Sequence, residues 1–179
     1  MPEPTSPAVP VAPVLAAERP DLLIAFRPTR AGLNMLSATV EGELTVTNQG
    51  AGDASDIRVR AVLLTAHPGL DTELAALRTE PVGRPATPTF SLAPHETRAL
   101  RVVAAAARET LQVLTAGERP MFVPVIAIDV VYETGQVGQA YAVGVERVDS
   151  AKLAPFWLDM PPKSFVQVAA REHGPKFGR

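Results

Sequence analysis

The sequence predicts an all-β chain, an antiparallel β-sandwich with one or two short helical inserts. Three observations carry this. Short runs alternate apolar and polar residues with a period of two, most cleanly from Thr39 to Thr47. About seven such runs are separated by Gly, Asn, Asp and Pro clusters. The chain also holds 18 prolines against 12 glycines, and its Pro-rich stretches read as crossings between strands. At 179 residues, with 46% hydrophobic and 20% charged, it has the size and composition of one domain with tails.

Residues 1–20 carry prolines at positions 2, 4, 7, 10, 13 and 20, which bars both sheet pairing and sustained helix. This stretch is expected to be a Pro-rich disordered linker, a tether to something upstream, and it lacks the basic start and apolar run of a signal peptide. The β-sandwich domain is expected over 21–149. Leu22 to Phe26 reads as a first strand ended by Arg27-Pro28. In the second, Val40, Leu44 and Val46 share a face opposite Glu41, Glu43, Thr45 and Thr47. Asn48 to Asp53 is a turn cluster, and Ile57 to Leu64 a third strand, so the two runs around it predict a hairpin-like pair or a longer connection. Residues 71–78 suit two helical turns with Asp71 near the N-cap. Pro81, Pro85 and Pro88 enforce an irregular crossing. Phe90 to Pro94 leads to a turn at His95-Glu96, and Leu100 to Ala104 reads as a strand. A short helix is expected from Glu109 to Leu114. Met121 to Glu133 is apolar on both faces and predicts a central strand. Gln139 to Val148 predicts its neighbour, with Tyr141, Val143 and Val145 inward and Gly144 marking a bulge or a close approach. Over 150–179 a C-terminal segment carries all three lysines and a charge of +3, against −4 for 21–149. It is expected to dock to about residue 170, anchored by Phe156-Trp157-Leu158, and then fray.

The chemistry predicted from these residues is sparse. A net charge of −2 argues against a nucleic-acid-binding surface. No apolar run is long enough to insert in a membrane. The absence of cysteine removes disulfides, thiolate nucleophiles and Cys-ligated zinc. Neither G-x-S-x-G nor a P-loop is present, and Gly50-Ala51-Gly52-Asp53-Ala54-Ser55 reads as a turn. His67, His95 and His173 stand beside Pro or Gly and read as solvated loop histidines rather than zinc ligands. Asn48, Asp53 and Asp56 supply oxygens near a Gly-rich turn; weak calcium binding is one reading and Asx turn bonding the other. Asp129 lies mid-strand in an apolar run, either as a general acid/base with raised pKa or, the reading preferred, at an exposed edge or in an ion pair with an arginine. Trp157 reads as a packing anchor, and one Trp with two inward Tyr furnishes a poor sugar-binding face. No catalytic, cofactor-binding or metal residue is assigned, and no cofactor is expected.

Glu43-Leu44-Thr45-Val46-Thr47-Asn48-Gln49-Gly50 to Ala54, followed by Ile57-Arg58-Val59, resembles the CARDB-like immunoglobulin-type modules of bacteria. Phe90-Ser91-Leu92-Ala93-Pro94-His95-Glu96 before Leu100-Arg101-Val102 looks like their leucine-alanine-proline-glycine-glutamate turn, with His95 where glycine is usual. A second resemblance runs through Phe26 to Ala38, Pro120 to Pro124 and Ala151 to Asp159. It is similar to the C-terminal domain of bacterial LPXTG-anchor-like membrane proteins, in which a Pro-rich segment and one transmembrane helix precede the module. This chain shows neither that helix nor an LPXTG motif. The resemblances imply an immunoglobulin-like sandwich, a membrane-associated placement through an upstream segment, and no catalytic activity. Periplasmic and cytoplasmic placements both stay open.

The function expected is therefore a non-enzymatic protein-interaction or structural module of a membrane-tethered bacterial protein, with a protein partner. The alternative is a ligand- or peptide-binding or assembly-chaperone domain that accepts a strand at an exposed sheet edge, with Leu22 to Phe26 or Tyr141 to Val145 as the edge.

Overall fold

The computed structural model of the chain describes residues 18–178. In chain order the elements are β1 (Leu22–Leu33), β2 (Ser37–Asn48), β3 (Ala54–Thr65), α1 (Leu70–Thr79), β4 (Phe90–Leu92) and β5 (Thr97–Ala107). A 3₁₀ turn at Arg108–Thr110 follows, then β6 (Leu114–Ala116), β7 (Arg119–Phe122), β8 (Pro124–Tyr132) and β9 (Gly135–Arg147). The last are β10 (Ser150–Ala154), β11 (Phe156–Trp157), β12 (Lys163–Phe165) and β13 (Val168–Gly178). All the strand pairs are antiparallel.

One sheet has the order β12-β1-β2-β5, and a second the order β10-β9-β8-β3-β4 with β13 also pairing β9. A small sheet, β11-β7-β6, sits beside them. Side chains from both large sheets meet in one core: Ile24, Val40, Leu44, Val46 and Val102 from the first, and Ile57, Val59, Ile126, Ile128 and Val143 from the second. The period-two pattern of β2 is realised as read, with Val40, Leu44 and Val46 fully buried. β8 lies between β3 and β9, the central place its two apolar faces predicted. Its inner face joins the shared core. On its outer face Val125 and Ala127 pack with Ala140 under Leu70 and Leu74 of α1.

Several expectations are corrected. β1 does not stop at Pro28: a bulge between Pro28 and Arg30 absorbs the proline and the strand continues to Leu33. β2 and β3 are not a hairpin, because they belong to different sheets, and the turn between them carries the chain across the core. The helix starts at Leu70 behind Gly69, with Asp71 and Glu73 in its first turn, where carboxylates favour the helix dipole. The helix expected over 109–114 is only the 3₁₀ turn, since buried Leu111 is extended and the Gln112 N–H donates to Thr65 Oγ1 at 3.0 Å. The predicted central strand is cut before Pro124, and the Ala66 N–H takes the Val123 carbonyl at 2.9 Å. Gly144 is a close approach: a Cβ there would lie 2.6 Å from Leu153 Cβ.

Both ends of the body differ from expectation. Residues 1–17 of the predicted linker lie outside the described residues. Residues 18–21 run along the turn after β2, where the Gln49 N–H donates to the Asp21 carbonyl at 2.7 Å and the Gly52 N–H to that of Arg19 at 3.2 Å. The C-terminal segment does not fray near 170. It returns as β13, registered on β9 from Val168↔Val145 to Gly178↔Val137, because β9 offers a long edge that would otherwise be unpaired.

Candidate interaction surfaces

Asp129 stands opposite Arg60 in the β3–β8 register. Arg60 donates to Asp129 Oδ2 from Nε at 3.0 Å and from Nη2 at 2.6 Å, with both side chains buried. The same guanidinium donates to the carbonyls of Leu77 at 2.6 Å and Glu80 at 3.0 Å, at the C-terminal end of α1. The Leu77 carbonyl also accepts the Glu80 N–H that caps the helix, at 3.2 Å, and a cation at this end favours the helix dipole. The pair therefore ties the helix to the sheet, and the arginine ion pair is the reading of Asp129 that the structure realises.

Asn48 is fully buried and acts as a clamp. Its Oδ1 accepts the N–H groups of Asp21 (3.2 Å) and Gly50 (3.1 Å), and its Nδ2 donates to the carbonyls of Gly52 (2.8 Å) and Ala93 (3.2 Å). With two N–H donors on its oxygen, Asn48 realises the Asx turn bonding of the two readings. Asp56 pairs with Arg58 at 3.3 Å and Asp53 is exposed. Gly50 and Gly52 let residues 18–20 lie on this turn: a Cβ at Gly50 would collide with the Arg19 carbonyl oxygen.

Two of the three histidines make polar side-chain contacts, at separate places. His67 Nδ1 accepts the Gly69 N–H at 3.0 Å, and its Nε2 lies 2.9 Å from Glu73. His173 Nε2 lies 2.9 Å from Asp71, joining β13 to the start of α1. His95 adopts φ 63°, in the left-handed region that favours glycine, in the turn between β4 and β5. Among the described residues no three His, Cys, Asp or Glu side chains form a metal-holding group. Trp157 is half-buried beneath Arg119, whose guanidinium lies 4.1 Å from its ring centroid. Arg119 also binds Asp159 through two hydrogen bonds, 2.7 and 2.9 Å, which raise the pKa of the arginine and lower that of the aspartate.

Two buried polar groups escaped the sequence reading. Gln139 donates from Nε2 to the carbonyls of Ala140, His173 and Gly174, while its Oε1 has no partner. The buried Tyr141 hydroxyl faces the Phe26 backbone without closing a hydrogen bond of good geometry. Burial, and secondarily the Glu172 carboxylate, push its pKa up to about 12. A concavity of about 730 Å³ lies between residues 18–22 and the β8–β9 turn, and neither Arg60 nor Asp129 lines it.

The sheet edges divide sharply. The proposed edge at Tyr141–Val145 is closed, because β13 pairs it residue for residue from Val168↔Val145 to Glu172↔Tyr141. The other, Leu22–Phe26, is paired only with β2 within the sheets, since β12 reaches no farther than Ala31. Its buried face packs on Tyr141 across the core, the Phe26 and Tyr141 ring centroids standing 5.6 Å apart. β5 was not singled out from the sequence. It pairs β2 in an unbroken register from Ser37↔Ala107 to Thr47↔Thr97, and among the described residues no strand pairs its other side.

No helix among the described residues is long and apolar enough to cross a membrane. Comparison with protein-family models, with curated proteins and with solved structures finds no match for this chain.

Proposed function

We propose that the chain is a non-enzymatic protein-interaction module that receives an extended partner strand along the free side of β5. The observation that carries this is the edge itself: eleven consecutive residues on a supported sheet, whose outward backbone donors and acceptors meet no strand among the described residues. The buried ion pair is consumed by holding α1 in place, which fits a structural rather than a catalytic use of the molecule's buried charge. An immunoglobulin-like sandwich is the fold we assign. Its support is the strand order β1-β2-β5 against β3-β8-β9, which follows the A-B-E and C-F-G orders of that architecture. The membrane-tethered bacterial placement is drawn from the resemblance and from the prolines of residues 1–20.

The test is affinity capture from source-cell extract with the full chain and with Val103→Lys. Val103 is 48% exposed on the outer face of β5, so the substitution leaves the core intact. Partners held by the wild-type chain and released by the variant are the expected result. An identical set held by both would remove β5 as the docking edge.

A further inference from the structure

We infer that the strand received by β5 is β5 of a second copy, paired antiparallel about a two-fold axis at Val102. The inference rests on the β5 reading above and names its partner. It begins from how the other edges are closed. β1 has Pro28, a bulge and the β12 cap. β13 has a register break between His173 and Phe177, Gly174 at φ 67°, Pro175 and Lys176. β4 is three residues long. Prolines, bulges, lysines and short strands are the ordinary devices against edge-to-edge pairing. β5 has none of them: TRALRVVAAAA contains no Pro, Gly or Lys, and its register on β2 is unbroken.

Its two charges are drawn away from the edge. Arg101 Nη2 donates to Glu41 on β2 at 2.6 Å, and Arg98 lies 5.0 Å from the Phe90 ring centroid. What remains along the strand is alanine and valine with Thr97 and Leu100; Val103, Ala105 and Ala107 are exposed outward and Val102 and Ala104 buried inward. Alternation of the two faces permits only registers that change in steps of two residues. The register with full overlap sets Thr97 against Ala107, Arg98 against Ala106 and Arg101 against Val103 of the second copy, so no two charges face each other. Slipping it one way opposes Arg101 to Arg101 of the second copy. Slipping it the other way opposes Arg98 to Arg108. Like charges directly opposite are destabilising, so the arginines select the full-overlap register. The same register sets each Arg98 against the small side chain of Ala106. The contact is isologous and consumes the β5 edge of each copy, so it closes at a dimer.

Sedimentation of the full chain over a concentration series tests this directly, read beside Val103→Lys and Val103→Thr. The wild-type chain is expected to dimerise. Val103→Lys opposes a lysine to Arg101 twice per dimer and is expected to weaken association about tenfold, while Val103→Thr, still β-branched, keeps it. The register is read with cysteine, since the chain has none of its own. An oxidised mixture of Ala99→Cys and Ala105→Cys, both exposed on the outer face and leaving the arginines in place, is expected to give the mixed disulfide in excess over either homodimer, because only that pair stands directly opposite. A wild-type chain that stays monomeric throughout overturns the second-copy inference, as does a dimer indifferent to Val103→Lys with no excess of mixed disulfide. If capture from extract still depends on Val103 in either case, the β5 reading stands and only the partner is wrong. If capture is indifferent too, both fall.

Discussion

The Tyr141 hydroxyl is the clearest unpaid cost at the level of single residues. It is buried without a hydrogen-bond partner, and a buried polar group left unsatisfied costs about 1–3 kcal/mol. Tyr141→Phe keeps the ring against Phe26 and removes that cost, so thermal unfolding should show a gain of about 1 kcal/mol. The pH dependence has a definite sign. With the folded pKa pushed up to about 12 and an unfolded tyrosine near 10, the folded state holds its proton longer. That contribution is full below the unfolded pKa and is lost as pH rises through the folded one. Melting against pH should therefore fall between those two values in the wild-type chain and more shallowly in Tyr141→Phe; parallel curves would show that the hydroxyl is solvated. Asp129 shows what the sequence held at this scale. Its position mid-strand in an apolar run marks a charge needing compensation, but Arg60 lies 69 positions away and the carbonyls of α1 complete the site. Asn48 was legible as a turn residue, since Asx side chains bond nearby backbone. Its grip on the turn before β5 was not, because the Ala93 carbonyl is 45 positions distant.

At the scale of elements, periodicity revealed faces and left partners open. The alternation in β2 and β3 was plain, yet two alternating runs around a turn describe a hairpin and a sheet-to-sheet crossing equally well. The helix over 70–79 was legible as 71–78, from Asp71 near its start and the three prolines that follow it. β13 was hidden for the opposite reason. Val168 to Gly178 mixes charges, Gly and Pro, and nothing local marks it as a strand; β9 makes it one by offering a partner. Ending the chain at Gln167 should therefore cost roughly 3 kcal/mol through the lost burial of Val168 and its neighbours, and should bare the β9 edge. A lower melting temperature with concentration-dependent aggregation is expected on heating. An unchanged melting temperature would mean that β13 lies on the body without supporting it.

Across the whole molecule, two sheets share one core and their edges are treated unequally. The proline and bulge in β1, the broken register and Pro175 in β13, and the brevity of β4 all oppose further pairing. β5 alone is long and regular, and it lies at the border of the first sheet. That contrast emerges only once the strand order is known, which is why a sequence reading favoured two other edges. The measurement that bears most directly on it is amide hydrogen exchange along β5 in dilute and concentrated solutions of the full chain. In dilute solution the amides bonded to β2 should exchange slowly and the alternate amides fast. On concentration the alternate set should slow as a second strand arrives. Alternate amides already protected when dilute, or fast at every concentration, would contradict an open edge that takes a strand from a second copy.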